Sequence, residues 1–218
     1  MANDDPGALS GAASRLADLL LRTGIGGKGS FKSAESIAAQ ALERHADRED
    51  AVRWIVNSHT RMAAADGFIT GVGGFITMVV SIPANIAGFY LVATRMTAAI
   101  AKVNGHDLED ESVRSAVLLC LAGEDAGEIL TKVGLGGASG RIVTRMAQGL
   151  SPAILMAVNK AVTFRILTGI GKSALSRLGR GVPVAGGVLG AAVDAVLIRR
   201  IATAAREEFH DRQAGQVA

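Results

Sequence analysis

The sequence predicts an all-α fold, a multi-helix bundle of seven to nine helices built around a kinked apolar central helix or hairpin. Apolar residues recur at three- and four-residue spacing along almost the whole chain, and no alternating strand pattern persists. Gly-rich stretches separate the periodic segments. Hydrophobic residues make up 49% of the chain and charged residues 20%. The chain is therefore more apolar than most soluble domains, yet too charged for a plain multi-span membrane protein.

The N-terminal part, residues 1–46, is predicted to be a helical arm. Its first helix runs from about Ala8 to Arg22, and its apolar face consists of Leu9, Ala13, Leu16 and Leu20. A glycine link, Gly24 to Ser30, leads to a short helix over about Ser33 to His45. The link contains the letters G-x-G-x-x-G, but it follows a helix rather than a strand, so the pattern does not predict a dinucleotide site.

The main domain is predicted to cover residues 47–212, and it opens with a helix that runs from Asp47 to about Ala65. Asp47 is a typical N-cap residue. Trp54 lies nearly opposite the apolar face of this helix, among polar neighbours. An exposed aromatic side chain in that setting is typical of a membrane-interface anchor. Coverage of Trp54 by another helix is the alternative, and His59, on the apolar face, is interpreted as a core histidine.

Residues 67–94 carry no charge over 28 positions. One straight helix of that length would reach about 42 Å, which exceeds the roughly 30 Å of a bilayer core. Pro83 and Asn85 interrupt the middle, and glycines loosen the start. We therefore predict two half-helices or a re-entrant hairpin. The alternative is a central helix that is enclosed by the other helices of a soluble bundle.

Asp107 and Asp110 predict the start of another helix, at capping-box spacing after the stop signal Asn104-Gly105. Helices over about Arg141 to Leu150 and Pro152 to Thr168 follow. The last helix begins at Val184 and is the most regular. Its packing seam consists of Val184, Val188, Ala191, Ala195, Ile198, Ala202, Ala205 and Phe209. Residues 213–218 are predicted to be a disordered tail.

Charge is distributed unevenly along the chain. Residues 107–134 contain seven acids and two bases, whereas residues 135–205 contain nine bases and one acid. A basic and apolar C-terminal half suits an anionic lipid surface, where each base contributes about 1 kcal/mol. The candidate membrane-interface residues are Trp54, Arg165, Lys172, Arg177 and Arg180. Nucleic acid is not a predicted partner, because no stacking aromatic residues accompany these bases.

Three polar residues stand among apolar neighbours and form a candidate polar site: Asp194, Asn85 and Asn159. Asp194 has no base one turn away on its own helix. Its carboxylate therefore needs a partner from another helix, such as Arg165 or Lys160, or a raised pKa. One interpretation is an interhelical salt bridge or hydrogen bond. The other is a contact with a lipid headgroup or an ion.

The sequence predicts no catalytic, metal or cofactor site. The four histidines are scattered and share no helix face, and no serine stands in a G-x-S-x-G motif. Cys120 lies in an apolar run and is interpreted as inert packing. A single cysteine fits a reducing compartment, and the N-terminus has no secretory signal pattern. The predicted location is cytoplasmic, peripheral to or partly inserted in the inner membrane.

Several ordered motifs resemble the EcsC protein family. They are Gly67-Phe68-Ile69-Thr70-Gly71-Val72-Gly73-Gly74, Ile82-Pro83-Ala84-Asn85, Ile100-Ala101, Asn104-Gly105-His106-Asp107 and the closing run Val182 to Asp194, with Ala205 and Phe209 at the end. The resemblance covers about Ala51 to Arg212. It implies a helical, membrane-associated bacterial protein, named for a neighbour of an ABC transporter and without an established reaction. Asn85 departs from the pattern, since we expect an acid after Pro-Ala.

The leading hypothesis is a non-enzymatic accessory protein that contacts anionic lipid or a membrane protein complex, with a link to ABC transport. The alternative is a soluble helical carrier that encloses a lipid or another apolar ligand. An uncharacterised hydrolase ranks third, because no nucleophile and base can be identified. The sequence leaves a homo-oligomer open.

Overall fold

The computed structural model of the protein describes residues 6–64, 84–135, 150–178 and 186–210. Within these ranges the chain forms eight α-helices and no strand, which confirms the all-α prediction. The helices are α1 (Pro6–Leu19), α2 (Ala34–Arg44), α3 (Arg48–Ala64), α4 (Ala84–Val103), α5 (Glu111–Cys120), α6 (Ala126–Lys132), α7 (Pro152–Leu178) and α8 (Gly186–Glu208). Leu20–Ile25 continue α1 as a π-helix, and Gly123–Asp125 form a 3-10 turn before α6.

Helix α4 is the centre of the bundle. It packs against α2, α3, α5, α8 and the π-helix, and every residue from 91 to 101 is buried. Its described part runs from Ala84. Residues 87–94 of the uncharged stretch are buried or half-buried within protein, as the alternative of a buried central helix requires. Residues 65–83, with the first half of the predicted hairpin, lie outside the described ranges.

Side-chain caps begin three of the helices. The Ser33 hydroxyl accepts the Ser36 N–H at 3.2 Å, and the Asp47 carboxylate accepts the Asp50 N–H at 3.0 Å, which confirms Asp47 as an N-cap. The predicted cap at Asp107 is wrong by three residues. Asp107 accepts the Glu109 N–H at 3.0 Å in a local turn, and Asp110 caps α5 instead, at 2.8 Å from the Ser112 N–H.

The apolar faces predicted from helical spacing form the core. The buried positions of the first and last predicted faces are Ala13, Leu16, Leu20, Ile198, Ala202, Ala205 and Phe209, and Ala195 is half-buried. The same spacing on α5 and α7 buries Val113, Ala116, Val117, Cys120, Leu155, Val158, Val162 and Ile166. Helix α7 continues to Leu178, beyond the predicted end at Thr168. Its internal glycines cost about 1 kcal/mol each relative to alanine, which weakens a helix but does not end it.

One hydrophobic cluster joins residues from the N-terminal helices to residues of α3, α4, α5, α7 and α8. Residues on both sides of the predicted boundary at 46/47 contribute to it, and the division into arm and domain stays a prediction. Of the predicted helix over 141–150, only residue 150 lies in the described ranges. The predicted tail 213–218 lies outside them. None of the helices in the described ranges combines the length and the apolar character that a membrane crossing needs.

The predicted glycine link is more ordered than its composition suggested. The chain stays helical to Ile25, and Gly24 is buried against Thr94 of α4. A tight turn follows, in which Lys28 and Phe31 exchange backbone hydrogen bonds of 2.8 and 3.0 Å. Gly27 adopts a φ of +74° there, and a side chain at this position would collide with the backbone of residues 31–33. The turn directs Phe31 into the core.

Candidate functional site

The exposed apolar side chains of the described residues are concentrated on the last two helices. Five of six such side chains lie there, with exposed fractions between 41% and 69%: Met156, Phe164, Val193, Val196 and Leu197. The sixth, Leu42 on α2, is 41% exposed. Several exposed apolar residues on one side of a helix mark a contact surface, whereas isolated ones are ordinary. Helix α7 packs against α1, α5 and α6, whereas α8 packs mainly against α3, α4 and α5, so these residues form one exposed strip on each helix. We call the two strips, together with Lys160, Arg165, Arg199 and Arg200, the C-terminal face.

Helical spacing explains this exposure. On α7, Met156, Lys160 and Phe164 follow one another in steps of four and are exposed, while Leu155, Val158, Val162 and Ile166 are buried on the other side. On α8, Val193, Val196 and Leu197 lead to Arg200 with three- and four-residue spacing, while Ile198, Ile201 and Ala202 are buried. Each helix is thus apolar on two sides, and the core covers one of them.

An acidic turn connects the two helices of the face. Arg165 of α7 donates two hydrogen bonds to Asp125, Nε to Oδ2 at 2.8 Å and Nη2 to Oδ1 at 2.9 Å. Arg200 of α8 donates to Glu124 at 3.2 Å. Because Glu124 and Asp125 are consecutive, both helices reach the same turn. The hydrogen bonds and the charge of Arg165 hold the pKa of the Asp125 carboxyl below its ordinary value.

The charge of the face is positive. Helix α7 contains four bases and no acid. Lys160 and Arg199 are exposed, and neither forms an ion pair with another described residue. Of the predicted interface bases, Arg165 lies in the face. Lys172 and Arg177 belong to α7, but their side chains, like the whole of Arg180, lie outside what the structure describes.

The residues of the predicted polar site lie on three different helices. Asp194 is half-buried on α8, and Asn159 is half-buried on α7. Asn85 lies in the first turn of α4, and its side chain is outside the described part. The buried Oδ1 atom of Asn159 has no hydrogen-bond partner among the described residues. Arg165, one of the two bases considered as a partner for Asp194, pairs with Asp125, and an interhelical partner for Asp194 stays a prediction.

Trp54 is half-buried at the junction of α2 and α3. The Arg44 guanidinium lies 5.3 Å from its ring centroid, and the His45 ring lies 6.5 Å away at a 45° tilt. The indole also packs against the hydrophobic cluster. Neighbours from its own chain therefore cover much of the ring, and membrane contact by Trp54 stays a prediction.

Sequence reasoning missed a buried cation on α4. Arg95 is 3% exposed, and its guanidinium lies 3.9 Å from the centroid of the Phe31 ring. It donates to His59 Nε2 at 3.2 Å and to Met62 Sδ at 2.9 Å. No carboxylate of the described residues pairs with it. The available signal was position, because Arg95 is the charge that ends the uncharged run of 28 residues.

Arg95 and His59 form a buried polar pair in which neither group titrates near neutral pH. Burial, and then the nearby charge of Arg95, lower the pKa of His59 to about 3. The neutral ring donates from Nδ1 to the Ile55 carbonyl at 2.8 Å and accepts from Arg95 at Nε2, which assigns its tautomer. Burial lowers the pKa of Arg95 to about 10. The core position predicted for His59 is confirmed.

Metal ligation and thiol chemistry were the remaining candidates weighed from the sequence. They contain no group of three or more His, Cys, Asp or Glu side chains that could hold a metal ion. Cys120 is buried, as predicted, and burial raises the pKa of its thiol well above the ordinary value. A thiol in that state is a poor nucleophile, since the thiolate is the reactive form.

Two motif segments that are distant in sequence meet in the fold. The Asn104 side-chain amide donates to the Phe209 carbonyl, and His106 Nε2 lies 3.4 Å from the His210 carbonyl. The rings of His106 and Phe209 pack edge to face at 5.3 Å. These contacts hold the end of α8 against the loop after α4, which gives the Asn104-Gly105-His106-Asp107 motif a structural role.

The fold and the face define a class: an all-α bundle whose last two helices present an apolar and basic surface. Residues 13–133 match the EcsC protein family, and this is more than half of the 218 residues. The chain therefore belongs to the EcsC protein family. The match begins earlier than the resemblance seen in the sequence and ends at residue 133, so α7 and α8 lie beyond it. Neither curated proteins nor solved structures gave a match.

Proposed function

We propose that the protein is a non-enzymatic accessory protein that binds the surface of an anionic membrane through its C-terminal face. The observation that carries the proposal is the concentration of exposed apolar side chains on α7 and α8, five of six among the described residues. The four bases of α7, without an acid, make the same surface complementary to anionic lipid.

The two kinds of side chain would act together in this function. Apolar side chains contribute about 25 cal/mol for each Å² that they bury in the hydrocarbon boundary, and each base near the surface adds about 1 kcal/mol. Lys160 and Arg199 are exposed without an ion pair among the described residues, so binding need not break a contact for them. The sum of several small terms gives reversible, peripheral binding.

Vesicle sedimentation tests the proposal. Wild-type protein is expected to sediment with phosphatidylcholine vesicles that contain phosphatidylglycerol, and to remain in solution with phosphatidylcholine alone. Added salt should weaken the binding, because it screens exposed charges beyond about 10 Å. Absence of binding to anionic vesicles, or equal binding to both compositions, contradicts the proposal.

A pair of leucine variants tests whether binding depends on the C-terminal face or on any exposed apolar side chain. Leu197 in the face and Leu42 on α2 are each 41% exposed. Leu197→Gln is expected to weaken binding to anionic vesicles about fivefold, the factor for about 1 kcal/mol of lost apolar contact. Leu42→Gln, the matched control, should bind like wild type. If both variants bind equally well, the C-terminal face is not the contact surface.

The finer parts of the leading hypothesis extend this proposal. A membrane protein complex, including one linked to ABC transport, would meet the protein at the same surface. Native mass spectrometry of the purified protein addresses the alternative, a soluble carrier. A lipid retained in the wild-type protein, together with indifference to vesicles, would favour the carrier.

A further inference from the structure

Two bases of the proposed membrane surface form ion pairs with the acidic turn Gly123–Asp125. Arg165 is held by both carboxylate oxygens of Asp125, at 2.8 and 2.9 Å, and Arg200 by Glu124 at 3.2 Å. Phe164 precedes Arg165, and Leu197 stands one turn before Arg200. Positions three apart share a side of a helix, so Leu197 and Arg200 lie on one side of α8. Phe164 and Arg165 are both exposed on α7, at consecutive positions that point about 100° apart. A membrane that covers the exposed strips of both helices would therefore meet both arginines.

The four side chains of these ion pairs are all exposed to water. Exposed ion pairs contribute little to stability, because solvent screens the charges and ordering the side chains costs entropy. A base near an anionic membrane likewise gains only a small free energy. The two partners of each arginine, the carboxylate and the membrane, are thus of comparable strength. Small changes in the acidic turn can shift the balance.

Resting on the proposed function, we propose that the turn Gly123–Asp125 is an autoinhibitory contact, in which Glu124 and Asp125 compete with anionic lipid for Arg200 and Arg165. With the turn paired, the face binds the membrane through its apolar residues and its remaining bases. When the arginines leave the turn, the face gains two further charge contacts. The acidic turn thereby sets the affinity for the membrane and the fraction of anionic lipid that binding requires.

Single acid-to-amide variants test the competition in the full chain. Asp125→Asn and Glu124→Gln each keep the side-chain shape and remove the negative charge that holds one arginine, leaving only a weaker neutral acceptor. Each is expected to bind anionic vesicles about fivefold more tightly than wild type, the factor that corresponds to about 1 kcal/mol per base. The binding of Asp125→Asn should also fall more steeply with salt than that of wild type, because one more base contacts the surface.

Glu128→Gln is the matched control. It removes one acid three residues from Asp125 and frees Lys132, which lies on α6 outside the C-terminal face and pairs with Glu128 at 2.7 Å. Glu128 feels the charge of Arg165 but forms no ion pair with it, so the two hydrogen bonds from Arg165 to Asp125 are kept. Its binding should stay within about twofold of wild type, well below the fivefold expected for a released base. The inference is overturned if Asp125→Asn and Glu128→Gln bind equally while wild type still binds. If no variant binds anionic vesicles, the proposed function itself fails.

Discussion

At the scale of single residues, Arg95 places a positive charge in the hydrophobic core. A buried guanidinium requires compensation, and here an aromatic face, a neutral imidazole and a thioether supply it. His59 can accept from Arg95 only while Nε2 carries no proton. The pair is therefore coupled: protonation of His59 would place two cations side by side in the bundle.

The lowered pKa of His59 predicts a pH dependence of stability. The unfolded chain binds a proton at His59 below pH 6.5, whereas the folded protein does not until about pH 3. The free energy of unfolding should therefore decrease as the pH falls from 6.5 towards 3, by up to about 1.4 kcal/mol per pH unit from this residue. His59→Gln should show a shallower decrease in urea unfolding measured across that range. Parallel curves for the two proteins would contradict the assignment.

At the scale of elements, the π-helix Leu20–Ile25 sets the contact between the first helix and α4. A Cβ atom added at Gly24 would lie 2.7 Å from Thr94 Cγ2 and 2.8 Å from Thr94 Cβ. Thr94 is fully buried, and its hydroxyl donates to the Tyr90 carbonyl at 2.7 Å. Neither side can yield easily. Glycine is needed here for close approach rather than for backbone freedom.

Two alanine variants test this contact. Gly24→Ala is expected to lower the free energy of unfolding by about 1–3 kcal/mol, because the added methyl group overfills a packed interface. Gly26→Ala is the control, since a Cβ there meets nothing within 4 Å and its φ is −75°. That variant should keep or raise stability by up to about 1 kcal/mol, through a less flexible unfolded chain. Chemical denaturation measures both, and equal effects would contradict the close contact.

At the scale of the whole molecule, acidic and basic segments that are separate in sequence partly neutralise each other. The bases Arg165 and Arg200 meet acids of residues 124–125, and Arg206 meets Glu49 of α3 at 3.0 Å. The positive surface available to lipid is therefore smaller than the charge count suggests. What remains on α7 and α8 lies among exposed apolar side chains, which favours a surface contact over purely electrostatic attraction.

Cell fractionation tests this view of the whole molecule. We expect the protein to sediment with membranes at low salt and to leave them in a high-salt or alkaline carbonate wash, since several weak surface contacts are reversible. Leu197→Gln should shift the protein to the soluble fraction, whereas Leu42→Gln should not. Retention of the wild-type protein after both washes would indicate insertion and would contradict peripheral binding.

Helical periodicity and capping residues in the sequence were sufficient for the all-α class, most buried faces and the cap at Asp47, because spacing and capping are local properties. Membership of the EcsC protein family was also readable from ordered motifs. The cap at Asp110 was missed because two aspartates at similar positions offer the same local chemistry. The candidate site could be predicted only in part. Arg165 was predicted as an interface base, but its ion pair with Asp125 was not.

The sequence by itself therefore determined the helices, their apolar faces and the uneven distribution of charge. Only the tertiary structure decided which apolar faces other helices cover, that Arg95 and His59 meet in the core, and that Asp125 and Glu124 hold the arginines of α7 and α8. The physical reason is that periodicity and capping act within a few residues. Burial and ion pairing depend on segments that are tens of residues apart in sequence and adjacent in space.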